Sequence, residues 1–278
     1  MRPPEPGTVQ DPRCGTTLRQ LLWFTLSIAA ISGVVSAIAA VWIDLPWGKI
    51  FRRCVSLAAL LTLWLFTRPL RGHTLQFLGL ADWVRGRPQL LRGALLGFGA
   101  MALLGTLYLA TGACLIHVHA DTLRVWSTLV GFLPAAGLIA VLEESIFRGY
   151  VLKHLLACSK PIALVGSSAA YALVHLRPHP VWPASGFELV GLFLLGWILA
   201  LGTLRSGSLY LAIGLHGSLA YCARVNKLLL EFPGLSLQWL VGTNRLVNGV
   251  AAWLALLGIG WIITRGHMTP QLTERERT

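Results

Sequence analysis

The sequence predicts an all-α, polytopic membrane helical bundle of about eight transmembrane helices, within a range of six to eight. Three observations predict it. Apolar residues make up 55% of the 278 positions, and the mean hydropathy is +0.67. Charged residues are only 12%, against roughly 25% in a soluble domain. Stretches approaching the ~20 apolar residues needed to cross a bilayer recur along most of the chain. No interval is left for a separate soluble domain, so one integral-membrane domain is expected over 1–278.

A polar leader, 1–20, carries Arg2, Arg13 and Arg19 ahead of the first apolar run, 21–44. That run is too long and too deep in the chain for a signal peptide, so it is expected to be a retained span. Further candidate spans follow at 54–68, 93–115, 128–157, 161–176, 187–204, 208–223 and 246–264. The interval 68–92, rich in arginine, glycine and proline, predicts a loop with an interfacial helix around LQFLGLADWV. The three prolines of LRPHPVWPASG at 176–186 predict a non-helical break. The segment 227–245 reads as a partly interfacial connection, and no internal repeat is evident.

The net charge of +12 is spread between spans rather than gathered on one face, so a nucleic-acid partner is not expected. Basic residues flanking spans set membrane topology, and the eleven tryptophans suit the two interfacial belts. With the N-terminus inside, most of the 23 lysines and arginines fall on the cytoplasmic side; Lys49, Arg52 and Arg53 oppose that orientation. The expected location is a multi-pass position in a bacterial-type plasma membrane, with the lipid bilayer as solvent. Five cysteines, at 14, 54, 114, 158 and 222, show no paired spacing. Neither a disulfide framework nor a cysteine zinc site is expected from them.

Function is read from ionisable side chains at membrane depth, each of which costs ~2.5–3.5 kcal/mol to insert. Of eleven acidic residues, only Glu143 and Glu144 fall inside a long apolar helix. Of eight histidines, His175 and His216 lie within or at the end of spans, whereas His117, His119 and His154 sit near loops or helix ends. The stretch EESIFRGY at 143–150 adds Arg148. Adjacent helical residues differ by about 100° in direction, so the two glutamates face different ways. Glu144 and Arg148 are i,i+4 neighbours that can pair, in a supporting role. Glu143 shares a stripe with Ala136, Ala140 and Phe147, whose small members leave room for a cavity.

Ser159-Lys160-Pro161 predicts a tight turn with proline opening the next helix. Glu143 and His175 are equally distant from Ser159 in sequence, so in an antiparallel hairpin they share a depth, roughly 24 Å from the turn at 1.5 Å per residue. His216 is also well inside its span. A carboxylate and imidazole together can take a proton from water, and a second imidazole can donate to an oxyanion. The same Glu/His/His set could instead bind zinc, although HExxH is absent. Structural helix contacts and proton-relay transport use such residues too.

These motifs resemble the CAAX protease and bacteriocin-processing (CPBP, Abi) family of intramembrane proteases. EESIFRGY resembles its EExxxR signature, with Gly149 also fitting. YALVH at 171–175 resembles its FxxxH motif, with Tyr171 in place of Phe. HGSLA at 216–220 stands where the family has HxxxN or HxxxD, with Ala220 in place of Asn or Asp. The resemblance covers the core 131–221. It implies an endopeptidase that hydrolyses a peptide bond of a membrane-associated protein or peptide. Glu143 and His175 would activate water, His216 would stabilise the oxyanion, and Glu144, Arg148 and Tyr171 would support them. No cofactor is expected on a glutamate mechanism; a divalent metal such as zinc is the alternative. Ala220 favours a second reading, an impaired family member acting as an immunity protein or membrane scaffold. Oligomeric state is not readable.

Overall fold

The chain folds as an all-α bundle in a computed structural model that describes residues 12–70, 72–118, 121–176, 182, 184–232, 238–242 and 248–266. His119, Arg177 and Pro178 lie outside the described residues. The helices are α1 (Pro12–Trp42), α2 (Trp47–Thr67), α3 (Thr74–Leu78), α4 (Trp83–Ala110), α5 (Thr122–Glu144), α6 (Lys153–Leu155), α7 (Lys160–Val174), α8 (Ala184–Ser206), α9 (Tyr210–Leu229), α10 (Gln238–Val241) and α11 (Val250–Arg265). Two short strands, β1 (Leu115–Ile116) and β2 (Leu230–Glu231), pair antiparallel.

The described part of each apolar stretch falls mainly on one helix or, for 128–157, on α5 and its continuation through α6; the stretch 93–115 runs past α4 into β1. Among the described residues, five helical segments are long and apolar enough to cross a membrane, and α7 and α11 are shorter apolar helices. The outward surface is greasy: Leu103, Leu133, Leu138 and Trp261 are each more than half exposed. Buried hydroxyls are absorbed locally, as in Ser32, Thr67 and Thr203, which donate to carbonyls four residues back.

The helix starts follow side-chain capping. Asp82 accepts from the Arg85 amide at 3.0 Å, Asp121 from Arg124 at 2.7 Å, and Ser159 from Ile162 at 3.2 Å. Pro161 sits in the first turn of α7, where its missing N–H costs nothing. The Asp82 cap also corrects the expectation for 68–92. Arg68–Leu70 forms one 3-10 turn and Thr74–Leu78 a short α-helix, and α4 begins at Trp83, because the cap starts the helix ahead of the apolar run. Likewise residues 12–20 of the leader form the first turns of α1.

α4 and α9 pack backbone to backbone, and glycine makes this close approach available. A Cβ on Gly93 would strike the Leu211 carbonyl, one on Gly97 the Ser218 hydroxyl, and one on Gly86 the Tyr210 ring. A Cβ on Gly214 would strike the Leu90 carbonyl and lie 2.9 Å from the Ala94 amide. α9 is thereby held at the centre of the bundle, with Leu211, Ala212 and Leu215 nearly inaccessible. Across it, α5 presents Ala136 and Ala140, both buried. These alanines admit α9, since a Cβ on Gly217 would lie 3.6 Å from Ala140 Cβ.

The expectation that no cysteines pair is overturned. Cys14 and Cys158 form a disulfide across 144 residues of sequence; Cys54, Cys114 and Cys222 are free thiols. Spacing could not reveal the pair, because only the packing of α1 beside the 156–159 turn brings the two thiols together. Disulfides persist in oxidising compartments, so this bond and the charge count make opposite demands on topology.

Two outcomes are expected. In whole cells, an impermeant maleimide labels Cys14 and Cys158 only after an external reductant is added; labelling that requires cell lysis would place that end in the cytoplasm. Gly214→Val lowers the melting temperature in detergent by an amount equivalent to about 1–3 kcal/mol of overpacking. Gly99→Ala, with nothing within 4 Å of the new methyl, leaves it unchanged.

Candidate active site

The helical path continues past the end of α5 at Glu144 into a π-helical segment, Ser145–Leu152, and then into α6. The wider turns of a π-helix close i→i+5 hydrogen bonds and recur at functional sites. Within this segment Phe147, Arg148, Gly149 and Tyr150 are all buried. Gly149 is packed so closely that a Cβ there would lie 2.8 Å from Leu78. The apolar pattern of the sequence carries no signal for this change of helix type.

Glu144 and Arg148 are both fully buried and pair at 2.8 Å, Nη1 to Oε1. Arg148 Nη2 donates to the Gly196 carbonyl of α8 at 3.1 Å. Gly196 permits this closeness, since a Cβ there would lie 3.0 Å from Ser168 Cα on α7. The guanidinium also sits 4.6 Å from the centre of the Tyr171 ring, a cation–π contact in a desolvated place. One arginine thus ties the π segment to α7 and α8.

Glu144 has a second partner that helix geometry alone did not indicate. His216 Nδ1 donates to Glu144 Oε1 at 2.8 Å, a direction assigned because a carboxylate oxygen can only accept. The other imidazole nitrogen, Nε2, then faces Glu143 Oε2 at 3.7 Å and the Tyr171 hydroxyl at 3.5 Å. His175 caps α7, and its Nδ1 donates to the Tyr171 carbonyl at 2.8 Å. That bond turns its Nε2 toward Glu143 Oε2, 3.6 Å away.

The structure therefore brings Glu143, Glu144, Arg148, Tyr171, His175 and His216 into one cluster. Glu143 and His175 are its accessible members, with side chains 27% and 32% exposed. Glu143 Oε2 itself is buried and makes no hydrogen bond to a described residue. His154 is not part of the cluster: its Nδ1 donates to the Tyr150 carbonyl and its ring packs against Phe77. His117 lies 3.8 Å from Glu231 beside the β1–β2 pair. The sequence did not disclose the Gly196 carbonyl as Arg148's acceptor, since no side chain marks it.

Residues 125–222 match the model of a family described as Rce1-like, type II CAAX prenyl endopeptidase Rce1-like. This segment is similar to the CAAX protease and bacteriocin-processing family. No curated protein and no solved structure matches the chain. The family is one of membrane peptidases, and all six clustered residues fall within the matched segment of this CAAX-protease-like chain.

Glu143, His175 and His216 carry the donor types of a His2Glu zinc site, and each Nδ1 is tied to an acceptor, as in metal-binding histidines. Among the described residues, however, no three His, Cys, Asp or Glu side chains gather closely enough to hold a metal ion.

Removing Arg148 strands the buried Glu144 charge. Arg148→Met is expected to destabilise the protein by roughly 3–5 kcal/mol, the cost of breaking a buried pair from one side. Changing both residues, Glu144→Gln with Arg148→Met, recovers part of that loss in the same thermal unfolding measurement.

Proposed function

We propose that the chain is an intramembrane endopeptidase that hydrolyses a peptide bond of a membrane-associated protein or peptide, with Glu143 as its general base. The observation that carries this reading is the facing of Glu143 Oε2 by two imidazole nitrogens, at 3.6 and 3.7 Å. Those separations are too long for direct hydrogen bonds. A water seated against Glu143 and His175 can donate one hydrogen to Oε2 and one to Nε2, because His175 has its Nδ1 proton committed to the Tyr171 carbonyl.

Proton transfer from that water to Glu143 leaves a hydroxide that attacks the scissile carbonyl carbon. The carbonyl electron pair moves onto oxygen, where His216 Nε2–H donates to it. Collapse of the tetrahedral intermediate breaks the C–N bond, and the amine departs with the proton held by Glu143. His216 does this as an imidazolium. Its Nδ1–H is already given to Glu144, so Nε2 carries a proton only in the charged form. With that proton, Glu143, Glu144, Arg148 and His216 sum to zero. Glu144 and Arg148 thus hold His216 in position.

The test compares membrane-protein termini by mass spectrometry in cells carrying the wild-type chain or Glu143→Ala at matched expression. A terminus generated by wild type and reduced by ~100-fold or more in the variant is expected for loss of a general base. If no terminus differs while a cellular phenotype of the chain survives the substitution, the peptidase reading fails and a scaffold role replaces it.

A further inference from the structure

The oxyanion of a tetrahedral intermediate is best held by more than one fixed donor, and His216 supplies only one. The position four residues on, where a second donor from α9 would point the same way, is Ala220. The nearby hydroxyls are committed. Ser218 donates to the Leu215 carbonyl at 2.9 Å, and Tyr221 donates to the Leu129 carbonyl at 2.8 Å. On α7, Ser167 and Ser168 donate to the carbonyls of Ala163 and Leu164 at 2.7 and 2.6 Å.

Tyr171 differs from all of these. Its ring is 2% exposed and is held edge-on by Phe147 at 5.2 Å, with Arg148 over its face at 4.6 Å. Its hydroxyl meets only His216 Nε2 among the described residues, at 3.5 Å, a long contact for a hydrogen bond. The hydroxyl is therefore fixed in place without being used up. Two donors at that separation can both reach one oxygen at about 2.9 Å, converging on it at roughly 75°.

We propose that the Tyr171 hydroxyl is the second oxyanion donor, filling from α7 the place that Ala220 leaves empty on α9. At rest its oxygen accepts from the His216 Nε2–H. When substrate arrives, both O–H and N–H turn to the carbonyl oxygen, and the phenol keeps its proton throughout. The side-chain hydroxyl that replaces a phenylalanine in one motif thus offsets the donor missing from another. This inference rests on the peptidase reading above.

The experiment uses purified full-length variants in liposomes, with membrane protein from cells expressing Glu143→Ala as the substrate pool. New termini are followed by mass spectrometry over time and substrate concentration. Tyr171→Phe is expected to cut the maximal rate ~100-fold, as removal of an oxyanion donor does, with half-saturation and melting temperature unchanged. Tyr171→Phe with Ala220→Asn is expected to recover at least about ten-fold of that loss by restoring a donor of the same function. If Tyr171→Phe cleaves within a few-fold of wild type, the inference is overturned while the peptidase reading stands. A loss that tracks a lowered melting temperature and is not recovered by Ala220→Asn also overturns it, leaving Tyr171 a packing residue. If wild type and Glu143→Ala yield the same termini, the peptidase reading falls and takes this inference with it.

Discussion

The bundle depends on one buried ion pair that has been made into a junction. Glu144 and Arg148 are both inaccessible, in a part of the chain where lone charges are costly to insert. Their mutual attraction does not by itself offset the desolvation of both. What completes the site is the set of further partners: the Gly196 carbonyl and the Tyr171 ring for Arg148, and the His216 imidazole for Glu144. Each comes from a different helix, so satisfying the pair requires α7, α8 and α9 to be in place around the π segment. The same requirement fixes the catalytic candidates, since Tyr171, His216 and the backbone leading to His175 are those very partners.

Small residues make that convergence available. α9 can deliver His216 to the centre only because Gly214 lets it touch the α4 backbone. Gly196 similarly lets α8 press against α7 while its carbonyl reaches Arg148. In a lipid solvent, association of helices draws on close packing and interhelical hydrogen bonds rather than on hydrophobic burial. Glycine contacts and the buried polar junction are therefore two parts of one device. The accessible edge of the cluster, Glu143 and His175, is left outside this tight interior.

Under the proposed oxyanion role of Tyr171, the two departures from the motifs that the core resembles have one physical meaning. Ala220 removes a donor from α9, and Tyr171 adds a hydroxyl from α7 that the surrounding rings and guanidinium hold still. Preorganised donors are effective because they need no reorganisation when charge develops. A phenol held on one face by Arg148 and edge-on by Phe147 meets that condition better than a flexible surface hydroxyl. The π segment contributes as well, since it carries Phe147 and Arg148, the two residues that lock the ring.

Apolar content and span-length runs determined the all-α membrane bundle, because the bilayer forces every backbone group to be satisfied within helices. The rarity of ionisable residues at membrane depth singled out Glu143, Glu144, Arg148, His175 and His216, and the i,i+4 relation placed Arg148 beside Glu144. Equal distance from the Ser159 turn put Glu143 and His175 at one depth. Tertiary structure alone decided the rest. The Glu144–His216 bond joins residues 72 apart, the Gly196 carbonyl has no side-chain signature, and the Cys14–Cys158 bond crosses 144 residues. Local sequence encodes helix faces and turns through short-range sterics and hydrogen bonds. Which faces then meet is set by how whole helices pack, and no spacing along a single chain records that.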